Sequence, residues 1–293
     1  MKFKVFTLHP EIFNSFLGVS LIARGINKNI ISVETINWRS EFGLGNYKQV
    51  DDKPFGGGSG MVLQPEPIYQ ALLANGAVSE LYETNALSKI HNKILPNNNN
   101  FFSNYKNFKN PKKITISLTP RGYPINQQML EWISSEFDET NILCGRYEGF
   151  DARVSELIDC EFSLGNFVVN GGEVPAMAFI EGVSRLIPNF VTKNTSVLHD
   201  SFSSQLNNHI EQISYIMGKN KLKQKSNLSL VSDNSVNKNN LFNEELYIRD
   251  ILPLIEHPQY TRPQIWNDLE VPSELIAGNH KQADKWRKNW FLY

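Results

Sequence analysis

Short apolar runs alternate with longer amphipathic segments along most of the chain. KFKVFTL, IISVETINW, ITISL at 114–118 and NILCG at 141–145 have the composition of strands, and FSLGNFVVNGGE has a strand-like centre. Helices are predicted from Pro10 to Phe16, in IYQALLA after Pro65 and Pro67, around QQMLEWISSEF, in ARVSELI and in VPAMAFIEGVSRLI. This alternation predicts an α/β fold with a mainly parallel sheet, followed by a small, mostly helical tail.

Two stretches interrupt this pattern. Residues from about His91 to Lys113 and from about Gln205 to Asn243 are rich in Asn, with Lys and Ser, and keep no clean apolar period beyond Met217. Because Asn and Ser favour turns over regular structure, we expect surface insertions that are partly disordered. Solvated low-complexity filler is the simpler interpretation, and basic contacts to a polyanion are the alternative.

Composition narrows the class of protein. Of the 293 residues, 41% are hydrophobic and 20% charged, which is enough apolar material for a sizeable core. The 29 basic and 30 acidic side chains give a formal net charge of −1, which excludes a protein coated in positive charge but permits a local basic face. The two cysteines cannot form a disulfide framework. Since no long apolar run or signal-peptide pattern is present, we expect a soluble cytoplasmic protein.

Glycines fall in three clusters that adjoin predicted strand ends: DDKPFGGGSGM, CGRYEGFD and SLGNFVVNGGE. Glycine at a strand end lets a ligand approach the backbone closely, and ligands of open α/β sheets lie beyond the carboxyl ends of the strands. Gly145 follows one predicted strand and Gly165 precedes FVV, so we expect two of the clusters to line one crevice. Tight turns without a ligand are the alternative for each cluster taken alone.

Common cofactor and metal motifs are absent. No GxGxxG opens a helix, and GGGSG lacks the Lys-Ser/Thr of a P-loop. The six histidines form neither HExxH nor a Cys/His ligand pair, so no metal site is predicted. His199 beside Asp200 is more simply a solvated loop histidine than a catalytic one.

Four motifs in fixed order resemble one family. VDDKPFGGGSGM, LCGRYEGFDARV, SLGNFVVNGGEVPAM and HPQYTRP together look like the bacterial tRNA (guanine-N1)-methyltransferases, which methylate the guanosine immediately 3′ of the anticodon (position 37). The resemblance covers most of the chain apart from the two insertions. It implies a methyltransferase domain with a deep trefoil knot over 1–200, a linker and insertion over 201–245, and a short helical C-terminal domain over 246–293. It also implies a homodimer whose active site lies at the subunit interface.

The resemblance implies S-adenosyl-L-methionine as the cofactor, held by the knot loops, with Mg²⁺ as a further candidate. The positions that match the cofactor loops are Thr119, Pro120, Gly145, Tyr147, Glu148, Ser163, Leu164, Gly165, Asn166, Phe167, Val168, Val169, Gly171 and Gly172. Substrate contacts are expected from Asp51, Asp52, Arg146, Tyr260 and Arg262, although turn and domain-junction roles compete for these residues.

The family's catalytic pair falls on Arg185 and Asp200. Guanine N1 carries a proton, and its lone pair becomes nucleophilic as that proton leaves. A carboxylate such as Asp200 can serve as general base, with a contribution of roughly 10²–10⁴-fold in rate. Negative charge develops on O6, where the Arg185 guanidinium can stabilise the transition state. Without the resemblance, Asp200 would be a loop or capping carboxylate and Arg185 a solvent-facing charge near a helix end.

The implied substrate is a tRNA anticodon stem-loop, from which the target base must be turned out of its stack. Phosphate contacts are expected from basic side chains of the tail, unless these form a solvated helix face. The candidates are Lys281, Lys285, Arg287 and Lys288.

The chain departs from the family pattern at several positions. Asn166 and Phe167 replace an Asp-Tyr pair, Lys53 replaces Arg, Ser59 replaces Pro, and the tail is short. We expect these changes to affect the affinity for the cofactor and for tRNA more than the type of reaction. The alternatives are a knotted methyltransferase of ribosomal RNA or a ribose hydroxyl, a protein that binds RNA without turnover, and a small-molecule nucleotide enzyme.

Overall fold

The computed structural model describes residues 1–79, 112–191 and 257–289, with only the backbone described at residues 288 and 289. All of them belong to one compact unit formed by residues 1–192 and 256–293. Most of the first predicted insertion, the whole of the second, and Asp200 lie outside the described residues.

A five-stranded sheet organises this unit. Its strands are β1 (Lys2–Thr7), β2 (Ser32–Asn37), β5 (Lys113–Pro124), β6 (Glu139–Cys144) and β7 (Cys160–Ser163). They lie in the order β2-β1-β6-β5-β7, and every pairing is parallel. The predicted α/β architecture with a mainly parallel sheet is confirmed. Two small antiparallel pairs accompany the sheet: β3 (Asp51–Asp52) with β4 (Val62–Leu63), and β8 (Ile265–Trp266) with β9 (Leu269–Glu270).

Helices cover both faces of the sheet, as a parallel sheet buried on both sides requires. They are α1 (Asn14–Leu17), α2 (Ser20–Asn27), α3 (Trp38–Phe42), α4 (Pro65–Ala74), α5 (Gln127–Glu136), α6 (Glu173–Leu186), α7 (Ser273–Ile276) and α8 (His280–Asn289), with 3₁₀ turns at Pro10–Phe13 and Ala152–Leu157.

Each face of the sheet has its own apolar core. On one face, Ile116 of β5 and Ile142 of β6 pack with Phe179 of α6. On the other face, Phe6 of β1 and Leu143 of β6 pack with residues of α4. Because side chains alternate across a strand, Ile142 and Leu143 enter opposite cores. This explains why β6 is buried at every position after its first residue.

Two segments near the edge strand β7 differ from the pattern-based prediction. The last sheet strand is Cys160–Ser163, and FVV at 167–169 lies in the loop that follows rather than in a strand. The predicted turn TPRGYP falls inside β5, where the register with β7 shifts between Leu118 and Tyr123. A Cβ on Gly122 would come within 2.5 Å of the Phe162 backbone, so only glycine allows β5 to lie this close to β7.

The C-terminal segment contains the short β8–β9 pair in addition to the predicted helices. It was expected to be mostly helical, and the pair forms around Asn267 and Asp268, which both adopt positive φ. Among the described residues, no helix is long and apolar enough to cross a membrane.

Candidate active site

The carboxyl edge of the sheet gathers the predicted cofactor loops. Parallel pairing places the ends of β1, β6 and β7 at one edge, and α6 begins there at Glu173. Loop 145–149 follows β6 and loop 164–172 follows β7. Thr119 and Pro120 lie in β5 where its register with β7 slips, beside the same edge. The structure therefore brings these three segments to one side of the sheet.

Glu173 is the buried centre of this edge. Its side chain is 2% exposed and lies in the first turn of α6, where the helix dipole stabilises a negatively charged carboxylate. Thr7 Oγ1 donates to Glu173 Oε1 at 2.7 Å, and Arg146 Nε donates to the same oxygen at 3.2 Å. Arg146 Nη2 pairs with Oε2 at 2.9 Å. This carboxylate thus ties β1, loop 145–149 and α6 together.

Two glycines allow the loops to meet. The Gly172 amide donates to the Gly145 carbonyl at 2.9 Å. A Cβ on Gly172 would lie 2.6 Å from the Cys144 Cα, so no larger residue fits without a backbone shift. Burial raises the pKa of the Cys144 thiol well above its ordinary value, and the nearby Glu173 adds to the rise. The thiol is therefore an uncharged packing group.

The loop after β7 holds its backbone by local hydrogen bonds and exposes apolar side chains. Ser163 Oγ donates to the Gly165 carbonyl at 3.1 Å, and the Phe167 amide donates to the same carbonyl at 2.9 Å. Phe167 is 55% exposed and Val168 76% exposed, and Val169 is also exposed. Contiguous exposed apolar side chains on a fixed loop are typical of a contact surface for a ligand or partner.

A third glycine segment joins this site through β4. The Glu148 amide donates to the Met61 carbonyl at 3.0 Å, and the Leu63 amide donates to the Gly149 carbonyl at 2.9 Å. Gly56, Gly57, Gly58 and Gly60 all adopt positive φ between 78° and 136°. All three glycine clusters of the sequence are therefore neighbours along one run of loops.

Tyr147 and Asp51 share a basic neighbour that the sequence interpretation missed. Arg39 Nη2 donates to the Tyr147 hydroxyl at 3.0 Å, and Tyr147 has a positive φ of 59°. Burial raises the pKa of Asp51, and the Arg39 charge opposes this rise. Asp52 instead pairs with Arg262, with Oδ1 and Nη1 2.9 Å apart. The WRS sequence at the start of α3 gave no signal of this role.

Arg185 lies apart from the cofactor loops of its own chain. It is an exposed residue in the last turn of α6, twelve residues after Glu173. At 1.5 Å per residue, the two Cα atoms are about 18 Å apart along the helix. Arg185 therefore lies about one helix length from the point where loop 164–172 leads into α6.

A sealed polar cluster anchors the C-terminal segment. Arg153 is 3% exposed and donates through Nε and Nη2 to both oxygens of Asp151, which is fully buried. The Thr261 amide donates to Asp151 Oδ2 at 2.6 Å, and Arg153 Nη2 donates to the Thr261 carbonyl at 2.7 Å. The motif LCGRYEGFDARV contains this pair, yet the sequence predicted no role for it. Asp and Arg in an otherwise apolar stretch were the available signal.

The other predicted substrate and phosphate contacts have varied settings. Burial raises the pKa of Tyr260, whose ring packs edge-on against Trp286 with centroids 6.3 Å apart. Arg287 donates to the carbonyls of Gly56 and Gly57 at 2.9 and 2.6 Å, so its guanidinium supports the glycine loop. Lys281 and Lys285 are exposed on α8, and the side chain of Lys288 lies outside the described residues.

These features define an α/β protein whose glycine-rich loops meet at the carboxyl edge of a parallel sheet, where such folds bind their ligands, in a pattern that is neither the Rossmann nor the P-loop scheme. Comparison with known proteins specifies the family. The sequence profile described as tRNA (Guanine-1)-methyltransferase TrmD matches residues 1–85, 93–237 and 230–292. The chain belongs to this family.

Curated relatives and a solved structure agree. The chain is 35% identical over 289 residues to the tRNA (guanine-N(1)-)-methyltransferase of Prochlorococcus marinus, with 98% of this chain and 84% of the relative covered. It is 33% identical to the protein of that name from Clostridioides difficile, with 98% and 91% covered. The crystal structure of tRNA (m1G37) methyltransferase from Aquifex aeolicus matches with a TM-score of 0.50 and 26% identity, over 99% of this chain and 88% of that chain.

The carboxyl edge has suitable chemistry for S-adenosylmethionine, the methyl donor on which the family depends. Glycine-lined backbone can approach an adenine and a ribose closely, and exposed apolar side chains at 167–169 can cover them. The described residues contain no group of three or more His, Cys, Asp and Glu side chains that could hold a metal ion.

Proposed function

We propose that this tRNA (guanine-N1)-methyltransferase modifies the guanosine immediately 3′ of the anticodon, position 37, and binds S-adenosylmethionine with the loops at its carboxyl edge. The observation that carries the proposal is the meeting of loops 145–149 and 164–172, joined by the Gly172–Gly145 hydrogen bond and flanked by exposed apolar side chains. The cofactor residues are those predicted from the sequence: Thr119, Pro120, Gly145, Tyr147, Glu148, Ser163–Val169, Gly171 and Gly172. A trefoil knot in this domain and a helical C-terminal domain over 246–293 are part of the proposal.

The bound cofactor supplies an activated methyl group on a sulfonium. The chain's task is to position the guanine and to manage one proton and one developing charge. Asp200 accepts the N1 proton as general base, and Arg185 faces O6, where negative charge accumulates. Because the methyl group is transferred directly to N1, no covalent enzyme intermediate is required, and positioning supplies much of the rate.

The active site is shared between two subunits of a homodimer. The length of α6 supports this proposal, because about 18 Å separates Arg185 from the start of the helix at the cofactor loops of the same chain. An extended arginine side chain spans less than half of that distance. The exposed side chains at 167–169 and Val174, which is 58% exposed, provide apolar surface that a second subunit would cover.

The substrate residues remain those proposed from the sequence. Asp51, Asp52, Arg146, Tyr260 and Arg262 lie on or beside the loops that adjoin the carboxyl edge. Arg146 and Arg262 are each held by a carboxylate in the free protein, at Glu173 and Asp52. A bound tRNA phosphate would compete with these carboxylates for the guanidinium groups.

The proposal is tested by methyl transfer from labelled S-adenosylmethionine to two transcripts of one tRNA. They differ only in guanosine or adenosine immediately 3′ of the anticodon. We expect label at N1 of the guanosine transcript alone, and a loss of at least 100-fold in Asp200→Ala and Arg185→Ala, with Asp138→Ala as the control for an exposed carboxylate. Addition of EDTA to the same assay tests whether methyl transfer requires Mg²⁺. Tight tRNA binding without label on either transcript would contradict the proposed activity and would favour a protein that binds RNA without turnover.

A further inference from the structure

The glycine loop, residues 53–60, connects the proposed substrate contacts to the proposed cofactor contacts. Asp51 and Asp52 form β3 directly before it, and β4 follows it. At its end, the side chain of Glu148, a proposed cofactor residue, occupies the space that a side chain at Gly60 would need. The course of this loop therefore sets how the substrate residues lie relative to the carboxyl edge.

The loop's own sequence gives it little stiffness. Gly56, Gly57, Gly58 and Gly60 all adopt positive φ. Glycine loses more conformational freedom on folding than any other residue, so a loop with four of them is costly to order. Its conformation depends on contacts that other segments supply.

The C-terminal segment holds the first residues of the loop. The Phe55 amide donates to the Tyr260 carbonyl at 2.7 Å, and Thr261 Oγ1 donates to the Lys53 carbonyl at 2.8 Å. The Phe55 ring packs against a small apolar cluster that α7 and α8 share. These contacts fix the entry to the loop, before the glycines begin.

Arg287 of α8 holds the glycines themselves. Its Nη2 atom donates to the Gly56 carbonyl at 2.9 Å and to the Gly57 carbonyl at 2.6 Å, and hydrogen bonds from a charged donor are stronger than neutral ones. Nη1 pairs with Asp284 of the same helix at 3.1 Å, and Nε is buried. A Cβ on Gly56 would lie 3.1 Å from Nη2, so the guanidinium fits closely against glycine backbone. The Arg287 side chain is 22% exposed and directed to the loop.

We propose that Arg287 is a positioning residue for methyl transfer and does not contact a tRNA phosphate, the role that the sequence predicted for it. The inference rests on the proposed function. By fixing the carbonyls of Gly56 and Gly57, Arg287 sets the position of the substrate residues relative to the methyl donor. A misplacement of about 1 Å can cost about 10²-fold in rate. Loss of Arg287 therefore slows the reaction in the bound complex and leaves the affinity for tRNA nearly unchanged.

The test compares the full-length wild type with Arg287→Met, which has no donor, and Arg287→Gln, whose amide is too short to reach either carbonyl. The single-turnover rate of methyl transfer is measured with tRNA and S-adenosylmethionine both saturating. We expect this rate to fall by about 10- to 100-fold in both variants. The tRNA dissociation constant should stay within about threefold of wild type, with the same salt dependence, because no phosphate contact is lost. Urea denaturation verifies that each variant is folded.

Two further variants separate the carbonyl contacts from the rest of the side chain. One nitrogen makes both contacts, so the ammonium group of Arg287→Lys can replace it, and we expect a rate within about threefold of wild type. Asp284→Asn is the matched control, because it removes only an ion pair whose carboxylate is 60% exposed, and it should keep the wild-type rate. Hydrogen exchange of the amides in 56–60 should be faster in Arg287→Met than in Asp284→Asn, since the loop loses its support only in the first.

A wild-type single-turnover rate in Arg287→Met, together with weaker tRNA binding and a salt dependence reduced by about one ion, would overturn the inference in favour of a phosphate contact. A folded Arg287→Lys that is as slow as Arg287→Met would contradict the assignment to the two carbonyls. In both cases, methylation of the guanosine by the wild type leaves the proposed function intact. If the wild type methylates no tRNA guanosine, the proposed function is wrong and the positioning role fails with it.

Discussion

Arg153 and Arg146 are seven residues apart in sequence, yet their ion pairs with Asp151 and Glu173 have opposite settings. The side chains of Arg153 and Asp151 are 3% and 0% exposed. The Thr261 carbonyl accepts a hydrogen bond from Arg153, and the Thr261 amide donates one to Asp151. Arg146 and Glu173 are 22% and 2% exposed, and the loop beside them presents Phe167 and Val168 to the exterior. The first pair, called the sealed pair below, is enclosed by the protein's own chain. The second, called the open pair, borders a surface on which a ligand can bind.

This difference separates what holds the fold from what performs the chemistry. The sealed pair connects the 3₁₀ turn at Ala152–Leu157 to the HPQYTRP segment, so that the C-terminal segment is fixed beside the sheet. The open pair connects β1, loop 145–149 and the start of α6. Each pair can be perturbed separately, and the effects should fall on stability in one case and on cofactor binding in the other.

The largest expected effect is on stability at the sealed pair. Arg153→Ala leaves the Asp151 carboxylate buried without its cation, and we expect a loss of about 3–5 kcal/mol in the free energy of unfolding, measured by urea denaturation. Arg262→Ala breaks the more exposed pair with Asp52 and should cost less than about 1 kcal/mol. Equal losses in the two variants would show that burial does not distinguish these pairs.

The next effect concerns the close approach of the two cofactor loops. In Gly172→Ala the new methyl group would meet the Cys144 backbone, so we expect a loss of about 1–3 kcal/mol in stability together with weaker S-adenosylmethionine binding. Gly182→Ala is a control on the same helix, because its methyl group meets only the flexible end of Leu130. That variant should remain within about 1 kcal/mol of wild type. Unchanged stability of Gly172→Ala in the same denaturation series would contradict the observed loop packing.

A third change acts on the exposed side chains of loop 164–172. Val168→Asp places a charge on a 76% exposed position, so the fold should persist while S-adenosylmethionine affinity falls by about tenfold in equilibrium binding. This fold-change corresponds to about 1.4 kcal/mol. Leu73→Asp makes a similar change at an exposed aliphatic side chain at the end of α4. Leu73→Asp is the control and should bind the cofactor as wild type does. If Val168→Asp also binds the cofactor as wild type does, loop 164–172 is not a cofactor contact.

The smallest effect is electrostatic. The folded-state pKa of Asp51 lies above the ordinary 3.8, because burial penalises its charged form. Protonation therefore favours the folded state. The contribution of this group to stability is fully present below the ordinary pKa and is lost as the pH rises through the folded value. Carboxyl NMR titration, with Asp51→Asn for assignment, should show this raised pKa. Arg39→Ala should raise it further, and a decrease would contradict the proposed neighbourhood of Arg39.

Sequence patterns predicted the regular elements well because each signal is local. The strand in KFKVFTL corresponds to Lys2–Thr7, and the helix in VPAMAFIEGVSRLI corresponds to Glu173–Leu186. FVV was misassigned, because three apolar residues in a row fit a buried strand as well as an exposed ligand loop. Only the position of β7, which ends at Ser163, decides between the two.

The meeting of the glycine loops could be predicted from the sequence, whereas the side-chain contacts that join the segments could not. Gly145 and Gly172 were identified from their positions near predicted strand ends, and the structure joins them directly. The pairing of Glu173 with Arg146, or of Arg153 with Thr261, depends on contacts across 27 and 108 residues of sequence, which no local pattern encodes. The role of Asp200 stays a prediction, since it lies outside the described residues.

Hydrogen exchange with and without S-adenosylmethionine tests the central distinction most directly, since it reports on both regions in one sample. The account predicts that the cofactor slows exchange of backbone amides in 145–149 and 163–172. The Thr261 amide, already bonded to buried Asp151, should be protected equally in both states. Cofactor binding that leaves exchange in both loops unchanged, or that alters only the segment around Thr261, would contradict the assignment of the carboxyl edge as the methyl-donor site.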